Sequence, residues 1–137
     1  MGVFITATNS KYNFDAGAFG FFNLRKNIAY VLNEDFGKHY EKLIYCRTKN
    51  DYEVFDRTSN RMAARLKLDF DILDFLFMSD IEGSVSPRTC KKLYNLIKDV
   101  NFGNKGFRYG AYQHNDYEEF KSFLKECYEH RRKMRWR

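Results

Sequence analysis

The chain is short of several things a 137-residue protein often has. It holds one proline, one tryptophan and three cysteines, and no apolar run approaches the roughly 20 residues that a membrane span needs. One proline and eight glycines leave no room for a long flexible linker, and neither a low-complexity tract nor an internal repeat is present. Cys46, Cys90 and Cys127 are odd in number, widely spaced and free of any CxxC, which excludes a disulfide framework and favours reduced core thiols in a cytoplasm. His39, His114 and His130 are scattered and form no triad, and no HxxE or HxH stands near an acid. No catalytic set, metal site or cofactor box follows from the pattern. The start, MGVFITATNS, lacks the basic region of a signal peptide.

Aromatic residues are plentiful: 14 Phe and 10 Tyr bring the aromatic share to 18%. Flat rings fill cores and also stack on bases. With 44% apolar residues, the chain is expected to form one compact domain over residues 1–137. The net charge of +6 is unevenly placed. HRRKMRWR at the end carries Arg131, Arg132, Lys133, Arg135 and Arg137, and the remaining 19 basic and 18 acidic residues nearly cancel. Residues 131–137 therefore read as a basic C-terminal tail, suited to nucleic acid, nucleotides or an acidic protein, or simply to the negative end of a helix.

The periodicity predicts a mostly helical α+β domain, with about five to six helices and a small sheet that includes an N-terminal strand. Val3 to Thr8 alternates and is β-branched, and a second short strand falls around Tyr12 to Phe14. Phe21, Leu24, Ile28, Val31 and Leu32 share a helix face, with Gly37 placed as the glycine that ends that helix. Tyr40, Leu43 and Ile44 continue a helical pattern to about Cys46. Thr48 and Asp69 are candidate N-caps, and Ser86-Pro87 is a strong helix start. Phe70, Leu73, Leu76 and Phe77 predict a short helix buried on most sides. The last helix is expected to run from about Asn115 to Lys133.

Three stretches carry candidate binding chemistry. In DAGAFGFFNLR, Gly17 and Gly20 precede a helix whose free N–H groups can hold an anion, with Asn23 and a first-turn Arg25 beside them. The spacing is neither a P-loop nor a dinucleotide fingerprint, and a plain glycine turn with Arg25 in a salt bridge is the alternative. In FMSDIEGSVSP, Asp80 reads as a partner for backbone N–H groups or for an arginine such as Arg25. Glu82 reads as facing a ligand, and Gly83 as supplying a positive φ. In GFRYGAYQHND, Arg108, Tyr109, Tyr112 and His114 combine cation, rings and hydrogen-bond donors between glycines, the means of stacking a base and holding its phosphate.

The opening MGVFITATNSKYNFDAGAFGFFNLRKNIA, the turn FMSDIEGSVSP and the closing FRYGAYQHNDYEEFKSFLKECYEHRRKMRW together resemble a group of short proteins encoded by bacteriophages, prophages and their Firmicute-type hosts. A looser likeness joins proteins that start MGLDITAY and carry AGSYSGYNRWR and FSDCEG. Gly17, Gly20, Asn23, Arg25, Asp80, Glu82 and Gly83 match that pattern, whereas Phe21-Phe22 and Ile81 depart from it. The resemblance brings no activity with it. It implies an accessory protein of a virus or mobile element, cytoplasmic in a bacterial host and devoted to takeover or to evading defences.

The expected function is a non-enzymatic binder that counters host defence by sequestering a nucleotide-derived immune signal, in a pocket that a homo-oligomer could complete. Two alternatives stand beside it: a nucleic-acid-binding accessory protein using the basic tail, and an inhibitor that binds a host defence protein. An enzyme acting on a nucleotide or glycosidic bond through Asp80 or Glu82 is the weakest reading, because no nucleophile accompanies the acids.

Overall fold

A computed structural model describes residues 4–8, 10, 13–15, 18–103 and 116–137. Among them the chain is a mostly helical α+β domain with a small antiparallel sheet that includes the N-terminal strand. The elements are β1 (Phe4–Ala7), β2 (Asn13–Asp15), α1 (Ala18–Leu32), α2 (Glu34–Glu41), a 3-10 segment (Lys42–Tyr45), α3 (Lys49–Leu66), α4 (Phe70–Phe77), β3 (Gly83–Val85), α5 (Pro87–Ile97), α6 (Asp116–Glu129) and β4 (Met134–Trp136).

Most helix starts are where the capping chemistry puts them. Thr48 and Asp51 form a reciprocal capping box ahead of α3. Asp69 accepts from the N–H groups of Asp71 and Ile72 to open α4, and Ser86 with Pro87 at N1 opens α5. Lys92 of α5 reaches both Asp69 (2.9 Å) and Asp71 (2.7 Å), tying the start of α4 to α5. Phe21, Leu24 and Ile28 of α1 are fully buried, as their spacing requires. They share one core with Ile5, Ala7, Met134 and Trp136 of the sheet and with the inward faces of the other helices.

Three expectations are corrected. Gly37 does not end a helix. α1 stops at Leu32, the Asn33 side chain accepts from Phe36 N–H to start α2, and Gly37 lies inside α2. A Cβ there would stand 2.4 Å from Tyr30 Cγ and 2.7 Å from Tyr30 Cα, so glycine is needed for close approach of α2 to α1. α4 is not buried on most sides: Ile72, Leu73, Phe75 and Leu76 face inward, but Phe70 is 81% exposed and Phe77 is exposed too. Gly83 has no positive φ; among the described glycines only Gly103 does. A Cβ on Gly83 would fall 2.3 Å from the Trp136 indole, so space is what the position demands.

The largest departure is at the C-terminus. α6 ends at Glu129, not Lys133, and residues 131–137 are not a tail. Arg131 adopts a left-handed conformation (φ 54°). Arg132 N–H bonds to Cys127 O (2.8 Å) and Arg131 N–H to Tyr128 O (3.4 Å), closing a Schellman turn. The chain then enters the sheet, whose order is β2-β1-β4-β3, as an inner strand. Met134 pairs with Ala7 and Val85, Arg135 with Thr6 and Ser84, and Trp136 with Ile5 and Gly83. Met-Arg-Trp has the two-residue period of a strand: Met134 and Trp136 are buried and Arg135 is exposed.

Candidate functional site

Arg25 lies about two helical turns inside α1, so it stands in the core and not in the first turn. It is 4% exposed. Its Cζ sits 4.2 Å from the Phe21 ring centroid, 5.3 Å from Trp136 and 5.4 Å from Phe75, an aromatic cage for a cation. Burial pushes its pKa down, opposed by the Tyr40 hydroxyl and by Asp80. An arginine keeps its charge through such a shift. The Tyr40 hydroxyl donates to Leu76 O (2.7 Å) beside the guanidinium and is held protonated by burial, its pKa pushed up to about 12. Nε and Nη2 of Arg25, both fully covered, have no hydrogen-bond partner among the described residues. These two nitrogens form one edge of the guanidinium, the edge that grips two oxygens of a carboxylate or phosphate.

Arg25 lines a cavity of about 560 Å³ between α1, the 3-10 segment, α3 and the turn after α4. Phe22, Tyr40, Tyr52, Phe55 and Phe77 supply rings, Leu43, Leu76 and Met78 supply aliphatic surface, and Arg47, Asp56 and Asp80 supply charge. Phe22 stacks on Tyr40 at 5.9 Å, and Phe77 meets Tyr40 and Phe55 edge-on or tilted at 5.6 and 6.2 Å. Cys46 is also on the wall, at the end of the 3-10 segment and not on a helix face. Burial pushes its thiol pKa up, so it is not an activated nucleophile.

The sequence-predicted residues divide into four groups. Arg25 and Asp80 line this cavity together, with Asp80 exerting a Coulomb attraction on Arg25 but forming no ion pair with it among the described residues. Glu82 lies elsewhere, on an open cavity of about 550 Å³ against the sheet, beside Thr6, Ser84, Arg135 and Arg137. Gly20 and Asn23 are inside α1, buried and half-buried, and line neither cavity. Gly17, Arg108, Tyr109, Tyr112 and His114 fall outside the described residues. The rings on the cavity wall were legible only as core. Phe77 falls at helical spacing with Phe70 and Leu73, and nothing in that spacing separates a packed ring from one facing a void.

Among the described residues no group of three His, Cys, Asp or Glu side chains is placed to hold a metal, and no helix is long and apolar enough to cross a membrane. Comparison of the chain with protein-family models, with curated proteins and with solved structures returned no match. What the site can do rests on its own chemistry: a cationic edge for an oxyanion, rings for a flat group, and two carboxylates for N–H or O–H donors.

Proposed function

We propose that the protein is a non-enzymatic binder that holds a small anionic ligand with a flat ring, of the nucleotide-derived class, in the Arg25 cavity. The observation that carries this reading is the buried Arg25 edge, Nε and Nη2, left without a partner in the wall of an aromatic cavity. Leaving buried guanidinium N–H groups without hydrogen-bond partners costs a fold on the order of 1–3 kcal/mol. A core built only for stability would hold an apolar side chain here. The cavity lies in the size range of ligand pockets, about 300–1,000 Å³. Asp56 and Asp80 suit the amino groups of a base or the hydroxyls of a ribose, which a bare phosphate lacks. The raised Cys46 thiol and the protonated Tyr40 provide no base or nucleophile for turnover. Together with the resemblance to phage-type proteins, this supports a role in sequestering a nucleotide-derived signal of host defence. Because the Arg25 edge is covered in the free protein, an oxyanion reaches it only as the wall shifts, so the observed association rate should level off with ligand concentration.

Isothermal titration with cyclic nucleotides and cyclic ADP-ribose isomers tests the proposal. At least one should give heat and be recovered unchanged. Arg25→Met should abolish that heat while its thermal midpoint stays level or rises, since an apolar side chain of similar reach leaves no buried donor unsatisfied. Absence of heat with every ligand, or equal affinity in Arg25→Met, would overturn it.

A further inference from the structure

The outer face of the sheet forms a second candidate surface, separate from the Arg25 cavity. Thr6, Arg135 and Ser84 stand abreast across β1, β4 and β3. Phe4 pairs with Arg137 through reciprocal backbone bonds of 2.9 and 3.1 Å, so its ring, 47% exposed, shares the face of Arg135 and Arg137. The open cavity of about 550 Å³ lies against this face.

The cations here differ from those that serve the fold. Lys92 is tied to Asp69 and Asp71, and Lys121 to Val100 O and Glu118. In the C-terminal segment Arg132 is spent on Thr8 O (2.9 Å). Arg135 and Arg137 are exposed and have no ion pair or side-chain hydrogen bond among the described residues. Among the described residues Glu82, beside Arg137 at the edge, is the acid on this cavity. Since the rest of the chain nearly cancels its own charge, most of the excess positive charge is concentrated in this strand and the turn before it.

We propose that this face binds single-stranded nucleic acid, with successive phosphates on Arg135 and Arg137 and a base stacked on Phe4. The two arginines, two residues apart on one strand, repeat at about 6.6 Å along an extended backbone. Thr6 and Ser84 offer hydroxyl donors to phosphate oxygens on either side. A flat platform with an exposed ring takes unstacked bases, whereas a duplex groove needs a projecting helix or ribbon.

Fluorescence anisotropy with a labelled oligothymidylate, the matching duplex and anionic-lipid vesicles, over a salt series, tests this. The wild-type chain should bind the single strand more tightly than the duplex or the vesicles. Arg135→Gln/Arg137→Gln should weaken it at least tenfold and lower the slope of log affinity against log salt by about 1.4, for two lost phosphate contacts. Phe4→Ala should weaken it about tenfold with the slope unchanged. Arg135→Lys/Arg137→Lys should restore the slope, which separates loss of charge from loss of fold. Undiminished binding in the glutamine variant, absence of single-strand binding, or equal affinity for duplex or vesicles would overturn the proposal. The Arg25 cavity is untouched by these variants, so the two sites stand or fall separately.

Discussion

Arg25 and Lys92 are both withdrawn from bulk solvent to some degree, and they show what a cation costs and contributes at single-residue scale. Lys92 donates to two carboxylates, which raises its pKa through the Asp71 bond first and the Asp69 bond second. Arg25 has a ring cage and an empty hydrogen-bonding edge. His39 is a third case. It stacks on Phe55 at 4.4 Å, and its Nε2 meets Ser59 Oγ at 2.8 Å. The Ser59 hydroxyl donates to Phe55 O, which leaves His39 Nε2–H as donor in the neutral ring. Burial, and then nearby Lys42, push the His39 pKa below its usual value. A base whose pKa is lower in the folded state binds its proton more readily when unfolded. Stability is therefore complete above about pH 6.5 and falls as pH drops below that. Denaturant midpoints measured from pH 7 to pH 5 should decline in the wild type and flatten in His39→Gln. An equal decline in both would assign the effect to other groups.

At the scale of elements, caps were legible and close approaches were not. Thr48, Asp69 and Ser86 each start a helix because a short polar side chain satisfies free N–H groups wherever the chain goes next. Helix ends behaved differently. Lys67 and Arg131 both take the left-handed position that glycine usually fills, so neither α3 nor α6 announces its end. Gly37, the glycine that looked like an end, is interior, because the need it meets arises between two helices. This reverses the sign of a familiar substitution. Gly→Ala inside an open helix normally stabilises by up to about 1 kcal/mol. Gly37→Ala puts a methyl group against the Tyr30 ring and backbone and should destabilise by about 1–3 kcal/mol, read from the shift in urea midpoint.

For the molecule as a whole, the consequential fact is that the last residues lie inside the sheet. β4 joins β1 to β3, buries Met134 and Trp136, and anchors the turn after α4 through Trp136 Nε1 to Ser79 O (2.8 Å). Trp136 also closes the cage around Arg25 and approaches Phe21 at 5.4 Å. Deleting residues 134–137 should not produce a folded, less basic protein. It should remove an inner strand together with the largest core side chain, abolish cooperative thermal unfolding and collapse near-ultraviolet dichroism. A truncated chain that keeps its midpoint would show that the sheet tolerates loss of β4.

The amino-acid order by itself determined which stretches are helical, where most helices start and the presence of an N-terminal strand. Those features depend on neighbours within a few positions, through backbone hydrogen bonding and the periods of helix and strand. Only the tertiary structure decided that Arg25 stands in a ring cage, that Glu82 belongs to a different surface from Asp80, and that a basic end is an inner strand. Each of these depends on side chains brought together across the fold, Trp136 against Arg25 above all, and local periodicity carries no record of such meetings.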